Sequence, residues 1–295
     1  MEQSALAELG LPIAVFLVMV VVGTSVGTAD FRRLARAPRA LVIGLLAQLV
    51  ALPLLGFLLA FSLRSEPILA VGMVLLAAAP GGATSNVIVH WSDGDRALSV
   101  TMTLLASMVT WISMPLLLIW AVDVFGGVSA AQVELSFVDT VAQVAAITLL
   151  PVLAGMGIYR RYPSFVARWR KGGRIFSGVV LASIVIALLI ENLQLVIDEG
   201  LHLAPALVAL NGAALALGYT VSKLARLERR QAVTVALETG IQNAALAVTV
   251  ALVTLDSAPL SVVPALYGLL MLITGPVFAM TMLRNVARTP VGEAT

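Results

Sequence analysis

Apolar residues in this chain run in blocks of about twenty, separated by short polar stretches rich in arginine. Nine blocks stand out, at 10–29, 40–62, 67–91, 97–122, 137–158, 175–191, 203–222, 231–254 and 261–283. A helix of roughly 20 apolar residues spans the hydrocarbon core of a bilayer, so the pattern predicts an all-α polytopic membrane protein with nine transmembrane helices. Two blocks contain residues that an uninterrupted membrane helix has no use for. The third carries Ala79-Pro80-Gly81-Gly82-Ala83-Thr84-Ser85-Asn86, a helix breaker followed by two glycines. The eighth carries Glu238-Thr239-Gly240-Ile241-Gln242-Asn243. Lipid offers no partner to freed backbone N–H and C=O groups, so such breaks occur at depth only where protein buries them or where they line a cavity. Paired breaks of this kind mark binding sites in transporters.

Composition strengthens the membrane reading. Sixty per cent of the 295 residues are hydrophobic and 12% are charged, against roughly 25% charged in a soluble domain. The chain has no cysteine, which excludes a disulfide framework and a thiolate metal site. The first apolar run, 11–26, is followed by Asp30-Phe31-Arg32-Arg33. Charge behind an apolar run is the reverse of a secretory signal peptide, so this block is expected to be a retained span.

The net charge of +2 is not a nucleic-acid signal, because the cations are segregated by loop. Arg32, Arg33, Arg36 and Arg39 follow the first span, Arg96 the third, and Arg160, Arg161, Arg168, Arg170, Lys171 and Arg174 the fifth. Lys223, Arg226, Arg229 and Arg230 follow the seventh span, and Arg284 and Arg288 the ninth; Arg64 alone falls on the other side. Under the positive-inside rule the N-terminus is outside and the C-terminus cytoplasmic.

The arginine-rich connection at 159–174 divides the chain into four and five spans. In the first part a helix carrying Gln48 precedes the break at Pro80, and a helix bearing Ser99 and Thr103 follows it. In the second, a helix carrying Asn211 precedes the break at Gly240, and the last span follows. Corresponding spans run in opposite directions, the signature of an inverted repeat with one span missing from its front.

Glu238 is the one acidic residue well inside a span. An intramembrane carboxylate costs about 3 kcal/mol on insertion scales and marks an ion or proton path; the bland reading is a protonated Glu bonded to a neighbouring helix. Gln242 and Asn243 place further oxygens beside it. Ser85 and Asn86 follow the first break, where either could instead cap the second half-helix. Ser99 and Thr103, four residues apart, share a helix face, although membrane Ser and Thr commonly bond their own i−4 carbonyl. Gln48 could serve as glue between helices. Together these residues offer side-chain oxygens and one carboxylate without cysteine or intramembrane histidine, which suits a hard monovalent cation such as sodium and not zinc or copper. His90, Trp91 and Trp120 read as interface markers, and Pro53, Pro115, Pro151, Pro264 and Pro276 as helix kinks. No phosphate loop, metalloprotease motif or nucleophile elbow is present.

Pro80-Gly81-Gly82-Ala83-Thr84-Ser85-Asn86, then Gly94-Asp95-Arg96-Ala97-Leu98-Ser99-Val100-Thr101-Met102-Thr103, then Glu238-Thr239-Gly240-Ile241-Gln242-Asn243 closely resemble the bile acid:sodium symporter family in composition, order and spacing. The resemblance covers essentially the whole chain. It implies two crossing, unwound helices in a core domain that rocks against a panel domain. The panel would comprise 1–39 and 123–202, and the core 40–122 and 203–295. By position it implies two sodium ions, the first on Ser85, Asn86, Ser99, Thr103 and Glu238. The second falls on Gln48, Glu238 and Gln242 with the carbonyls of Thr239 and Ile241. A substrate carboxylate would meet Ala83, Thr84 and Asn243 near the crossover. Many bacterial relatives read Gly-Gly-Thr-Ala-Ser-Asn where this chain has Gly-Gly-Ala-Thr-Ser-Asn, so the hydroxyl has moved to Thr84 and the direct substrate contact is open.

The function this implies is sodium-coupled symport of an organic anion, bile acid-like, pantoate-like or a keto acid, in a bacterial inner (plasma) membrane. Membrane lipid is the only other expected partner, with no nucleic acid and no obligate protein. Two alternatives stand beside it: proton coupling through Glu238 on the same fold, and a non-transporting membrane sensor. An enzyme is not expected, since no paired aspartate, zinc motif or Ser–His arrangement lies in facing spans.

Overall fold

The computed structural model describes residues 11–24, 38–125, 137–191, 193–255 and 257–284; Arg32, Arg33, Arg36 and Arg288 lie outside them. The described residues are helical except at short connections and one isolated antiparallel backbone bridge. In chain order the helices are α1 (Leu11–Thr24), α2 (Pro38–Leu63), α3 (Pro67–Ala78), α4 (Ala83–Trp91), α5 (Arg96–Phe125) and α6 (Phe137–Arg161). There follow α7 (Pro163–Glu191), α8 (Leu193–Leu224), α9 (Arg229–Gly240), α10 (Ala244–Thr249) and α11 (Ala258–Arg284). Among the described residues, five helical stretches are long and apolar enough to cross a membrane unaided: Pro38–Leu63, Arg96–Phe125, Val141–Arg161, Gly200–Leu224 and Ala258–Met282.

The helices start and stop for local reasons. Pro67 opens α3 in the first turn, where a missing N–H costs nothing. Asp95 Oδ1 accepts the Leu98 N–H at the head of α5. Glu228 and Gln231 form a reciprocal capping box at α9, which satisfies two otherwise orphaned donors. In α2 the chain widens into a π-helical turn over Ala47–Ala51, just before Pro53. Proline cannot donate to the carbonyl four residues back, and a π turn is a recognised way for a helix to absorb such a fault. The widened turn includes Gln48.

The connection expected at 159–174 is almost entirely helical. α6 runs to Arg161, α7 begins at Pro163, and the Tyr162 and Val166 N–H groups bond Ile158 and Tyr162 across the junction. Arginine is a good helix former and Pro163 tolerates the first helical turn, so a polar run here does not become a loop. α8 likewise starts at Leu193, ten residues before the apolar block read from the sequence.

The two interrupted helices occupy the middle of the molecule. Every residue from 69 to 82 is buried, as is every residue from 232 to 251. Around them α2, α5, α8 and α11 complete the principal apolar core, with Leu52, Met114, Leu118, Leu210 and Tyr267 fully enclosed. α1 packs on α6 through two glycines: a Cβ on Gly23 would lie 2.2 Å from the Val152 carbonyl oxygen, and one on Gly155 2.1 Å from that of Val20. Small residues of this kind let membrane helices approach backbone to backbone. A smaller cluster joins this pair to the rest, with Met19 of α1 and Val152 of α6 against Leu104, Ala245, Val248 and Ala265.

Candidate functional site

The two breaks face each other and satisfy each other. The Asn243 N–H donates to the Pro80 carbonyl at 2.8 Å, and the Gly82 N–H to the Ile241 carbonyl at 3.4 Å. These bonds flank the antiparallel bridge between Gly81 and Gln242. Backbone groups released by unwinding thus find partners without water. The approach is tight, since a Cβ on Gly82 would lie 3.1 Å from the Gln242 carbonyl oxygen and the facing backbone would have to give by a few tenths of an ångström.

Each break is also held by a side-chain amide from the preceding long helix. Gln48 Nε2 donates to the Ala79 carbonyl at 3.1 Å. Asn211 Nδ2 donates to the Gly240 carbonyl at 2.9 Å, where the Tyr267 hydroxyl joins it at 2.8 Å. The parallel noticed in the sequence between Gln48 and Asn211 is therefore a parallel of hydrogen bonds.

Glu238 lies in the last turn of α9, just before the crossing, and is the one charged residue that is buried among the described residues. Its Oε1 accepts from Ser85 at 2.7 Å and from Ser99 at 2.5 Å, and its Oε2 from Thr103 at 2.8 Å. Asn86 closes the ring, its Nδ2 donating to Thr103 Oγ1 at 3.1 Å and its Oδ1 lying 2.7 Å from Ser99 Oγ. Five residues from three helices, α4, α5 and α9, thus place their oxygens in one buried knot. Neither Ser85 nor Asn86 caps α4; Gly82 takes that position and the Ser85 hydroxyl points to its carbonyl at 2.7 Å. Thr101, Ser107 and Thr110 on the same helix as Ser99 and Thr103 do bond their own i−4 carbonyls.

Counting protons shows what this knot suits. Ser85 has one O–H facing two acceptors, Gly82 O and Glu238 Oε1, and Ser99 has one facing Glu238 Oε1 and Asn86 Oδ1. A hydroxyl carries a single donor hydrogen, so the short oxygen–oxygen contacts outnumber the hydroxyl protons available to bridge them. A hard cation attracts such crowded oxygens and needs no proton between them. Among the described residues no group of three or more His, Cys, Asp or Glu exists that would favour a transition metal.

A second polar cluster adjoins the first across the crossing. Gln48 Nε2 donates to Gln242 Oε1 at 2.8 Å, and Gln242 Nε2 to the Thr239 carbonyl at 2.5 Å. Gln48 Oε1 is buried without a hydrogen-bond partner. An orphaned acceptor at that depth costs about 1–3 kcal/mol unless something electropositive meets it.

The remaining predicted residues divide. Thr84 sits half-buried in the first turn of α4, and the side chain of Ala83 lies outside the described residues. Asn243 caps α10, its Oδ1 accepting the Leu246 N–H at 3.1 Å. That role occupies its oxygen and leaves its amide nitrogen as the end able to donate to an anion. Sequence reading missed Tyr267, whose ring is fully buried in α11; its signal was a lone tyrosine within an apolar block, where a buried hydroxyl needs a partner.

Polar groups gathered where two interrupted helices cross inside an apolar helical molecule define an integral membrane protein built around a buried binding site. The Sodium Bile acid symporter family matches residues 12–199, and the chain belongs to that family. Its members are transporters, and this protein is a transporter and not an enzyme. It is 30% identical over 255 residues to the protein named "Uncharacterized sodium-dependent transporter YocS" of Bacillus subtilis, covering 86% of this chain and 77% of that one. It is 28% identical over 272 residues to the ileal sodium/bile acid cotransporter of Oryctolagus cuniculus, covering 91% and 77%. It is 32% identical over 229 residues to "Probable sodium/metabolite cotransporter BASS2, chloroplastic" of Oryza sativa subsp. japonica, covering 77% and 53%.

Proposed function

We propose that this protein couples the inward movement of sodium to uptake of a small organic anion. The observation that carries the reading is the knot of oxygens around Glu238, with too few protons for its short contacts. Sodium here is a co-transported substrate, held first by Ser85, Asn86, Ser99, Thr103 and Glu238. A second ion would take the orphaned Gln48 Oε1, Gln242 and Glu238, with the carbonyls of Thr239 and Ile241. Relatives named as sodium-dependent or as sodium cotransporters support the choice of ion.

Two monovalent cations against one carboxylate leave about one net positive charge at low dielectric, where uncompensated charge is costly. A carboxylate substrate at the crossover relieves that cost, and this is the physical origin of coupling. The Asn243 amide nitrogen and the Thr84 hydroxyl are the donors proposed for it. Relatives named for bile acid and for metabolites bracket the size range, and pantoate-like and keto acids fall within it.

Nine spans, an inverted repeat, an external N-terminus and a cytoplasmic C-terminus complete the proposed architecture. The panel is 1–39 and 123–202, and the core is 40–122 and 203–295. The cluster of Met19, Val152, Leu104, Ala245 and Val248 is the surface on which they would slide, with Met156 packed against it and Phe16 exposed beyond.

The test is uptake into proteoliposomes of labelled carboxylates (a bile acid, pantoate and a keto acid) under an inward sodium gradient, a choline control and an imposed proton gradient. Accumulation with sodium alone is expected for at least one of them. Uptake driven by protons and indifferent to sodium would replace the reading with its proton-coupled alternative, and no uptake of any probe would count against the substrate classes proposed.

A further inference from the structure

Three successive carbonyls at the second break have three different sets of partners. Thr239 O accepts from Gln242 Nε2 and Ile241 O from the Gly82 N–H. Gly240 O between them accepts from Asn211 Nδ2 of α8 and the Tyr267 hydroxyl of α11. Asn211 Nδ2 also lies 3.1 Å from the Tyr267 oxygen, so the three groups form a closed triangle. Asn211 is 1% exposed and Tyr267 not at all. Leu215 of α8 packs on Gly240 so tightly that a Cβ there would meet its Cγ and Cδ2 at 2.5 Å.

We propose that Asn211 and Tyr267 are positioning residues for the second sodium ion: by holding the Gly240 carbonyl toward α8 and α11, they fix the peptide planes on either side so that the Thr239 and Ile241 carbonyls can serve the ion. The three carbonyls sit on consecutive planar peptides at the end of α9, joined only by the φ and ψ rotations between them, so anchoring the middle one restricts the rotations that orient its neighbours and freeing it releases them. The counterpart at the first break supports the role by contrast. Gln48 holds Ala79 O with the same amide nitrogen that reaches Gln242 across the crossing, whereas Asn211 is tied to Tyr267. One amide spans the two breaks; the other steadies one of them. The inference rests on the sodium reading above and adds two residues outside the ligand set.

The test is the sodium dependence of thermal stability in the detergent-purified full chain, titrated with sodium chloride at constant ionic strength in choline. The variants are Tyr267→Phe, which keeps the ring and removes one O–H, and Asn211→Ala. Tyr267→Phe is expected to raise the half-saturating sodium concentration about fivefold, the factor for one lost neutral hydrogen bond. Its melting temperature in choline should fall modestly, as for any buried hydrogen bond removed, and the shift in half-saturation is the readout that a merely structural role would not move. Asn211→Ala should shift the curve further. If both variants keep the original half-saturation, or lose stability in choline without moving it, the pair is only structural and the inference falls. If the unaltered protein shows no saturable sodium effect, the sodium reading falls and the inference with it.

Discussion

A methyl group on Gly81 would stand 2.5 Å from Oε2 of Glu238, closer than any real Cβ contact. The glycine of one broken helix is thus shaped around the carboxylate of the other, and each half of the chain completes the other's site. Gly81 needs no unusual backbone angle, so what a side chain would disturb is the position of the carboxylate.

Gly81→Ala is therefore expected to fold and to weaken sodium binding. A carboxylate pushed out of register with Ser85, Ser99 and Thr103 should bind about tenfold more weakly, about 1.4 kcal/mol. A sodium titration of thermal stability or uptake reads this shift. An unaltered half-saturation would show that the carboxylate's position does not matter.

Glycines on one helix should differ sharply in tolerance. Gly155 faces the α1 backbone, with a Cβ 2.1 Å from Val20 O and 2.8 Å from Thr24 N, whereas Gly157 has nothing within 4 Å. Backbone cannot step aside as a side chain can, so Gly155→Ala should cost on the order of 2 kcal/mol by overpacking. Gly157→Ala should be neutral or slightly stabilising, by about 0.5 kcal/mol, through helix propensity. Thermal unfolding of the two variants in one detergent decides it, and equal melting temperatures would contradict the packing of α1 on α6.

The turn between α4 and α5 offers a contrast between an ion pair and a buried hydrogen bond. Arg230 and Asp93 meet at 2.6 Å, but their side chains are 66% and 64% exposed. Such pairs contribute little, so Arg230→Gln should change stability by less than about 0.5 kcal/mol. Thr234 is fully buried, and its oxygen accepts the Asp95 N–H at 2.8 Å while donating to Arg230 O. Thr234→Val strands that N–H and should cost about 1–3 kcal/mol. The reverse ranking in a thermal unfolding series would overturn the assignment.

Much of the site could be read from sequence because the membrane makes polar residues and helix breakers conspicuous. Pro80 and its two glycines have no place in an unbroken span, and Glu238 is too costly there to be incidental. The roles of individual hydroxyls were not legible. Ser99, Thr101, Thr103, Ser107 and Thr110 share one helix and one chemistry, and only the arrival of Glu238 from elsewhere in the chain turns two of them away from their own carbonyls. Tyr267 was hidden for a similar reason, since its partners are 27 and 56 residues away. The closeness of α1 and α6 rests on Gly23 and Gly155, which are ordinary residues in apolar runs until they face each other. The arginine-rich stretch at 159–174 misled in the opposite sense, because hydropathy reports where a helix leaves the membrane and not where the helix ends.

The central claim is that Glu238 of one broken helix gathers oxygens from the other and from α5 to hold sodium. Its most direct test is the thermal stability of purified protein and of Glu238→Gln across a sodium titration at constant ionic strength. A ligand bound only by the folded state stabilises it by about 2.7 kcal/mol at a hundredfold excess over its Kd. The account predicts a saturable rise in melting temperature for the unaltered protein and a flat response for Glu238→Gln. The same rise in both proteins would contradict it.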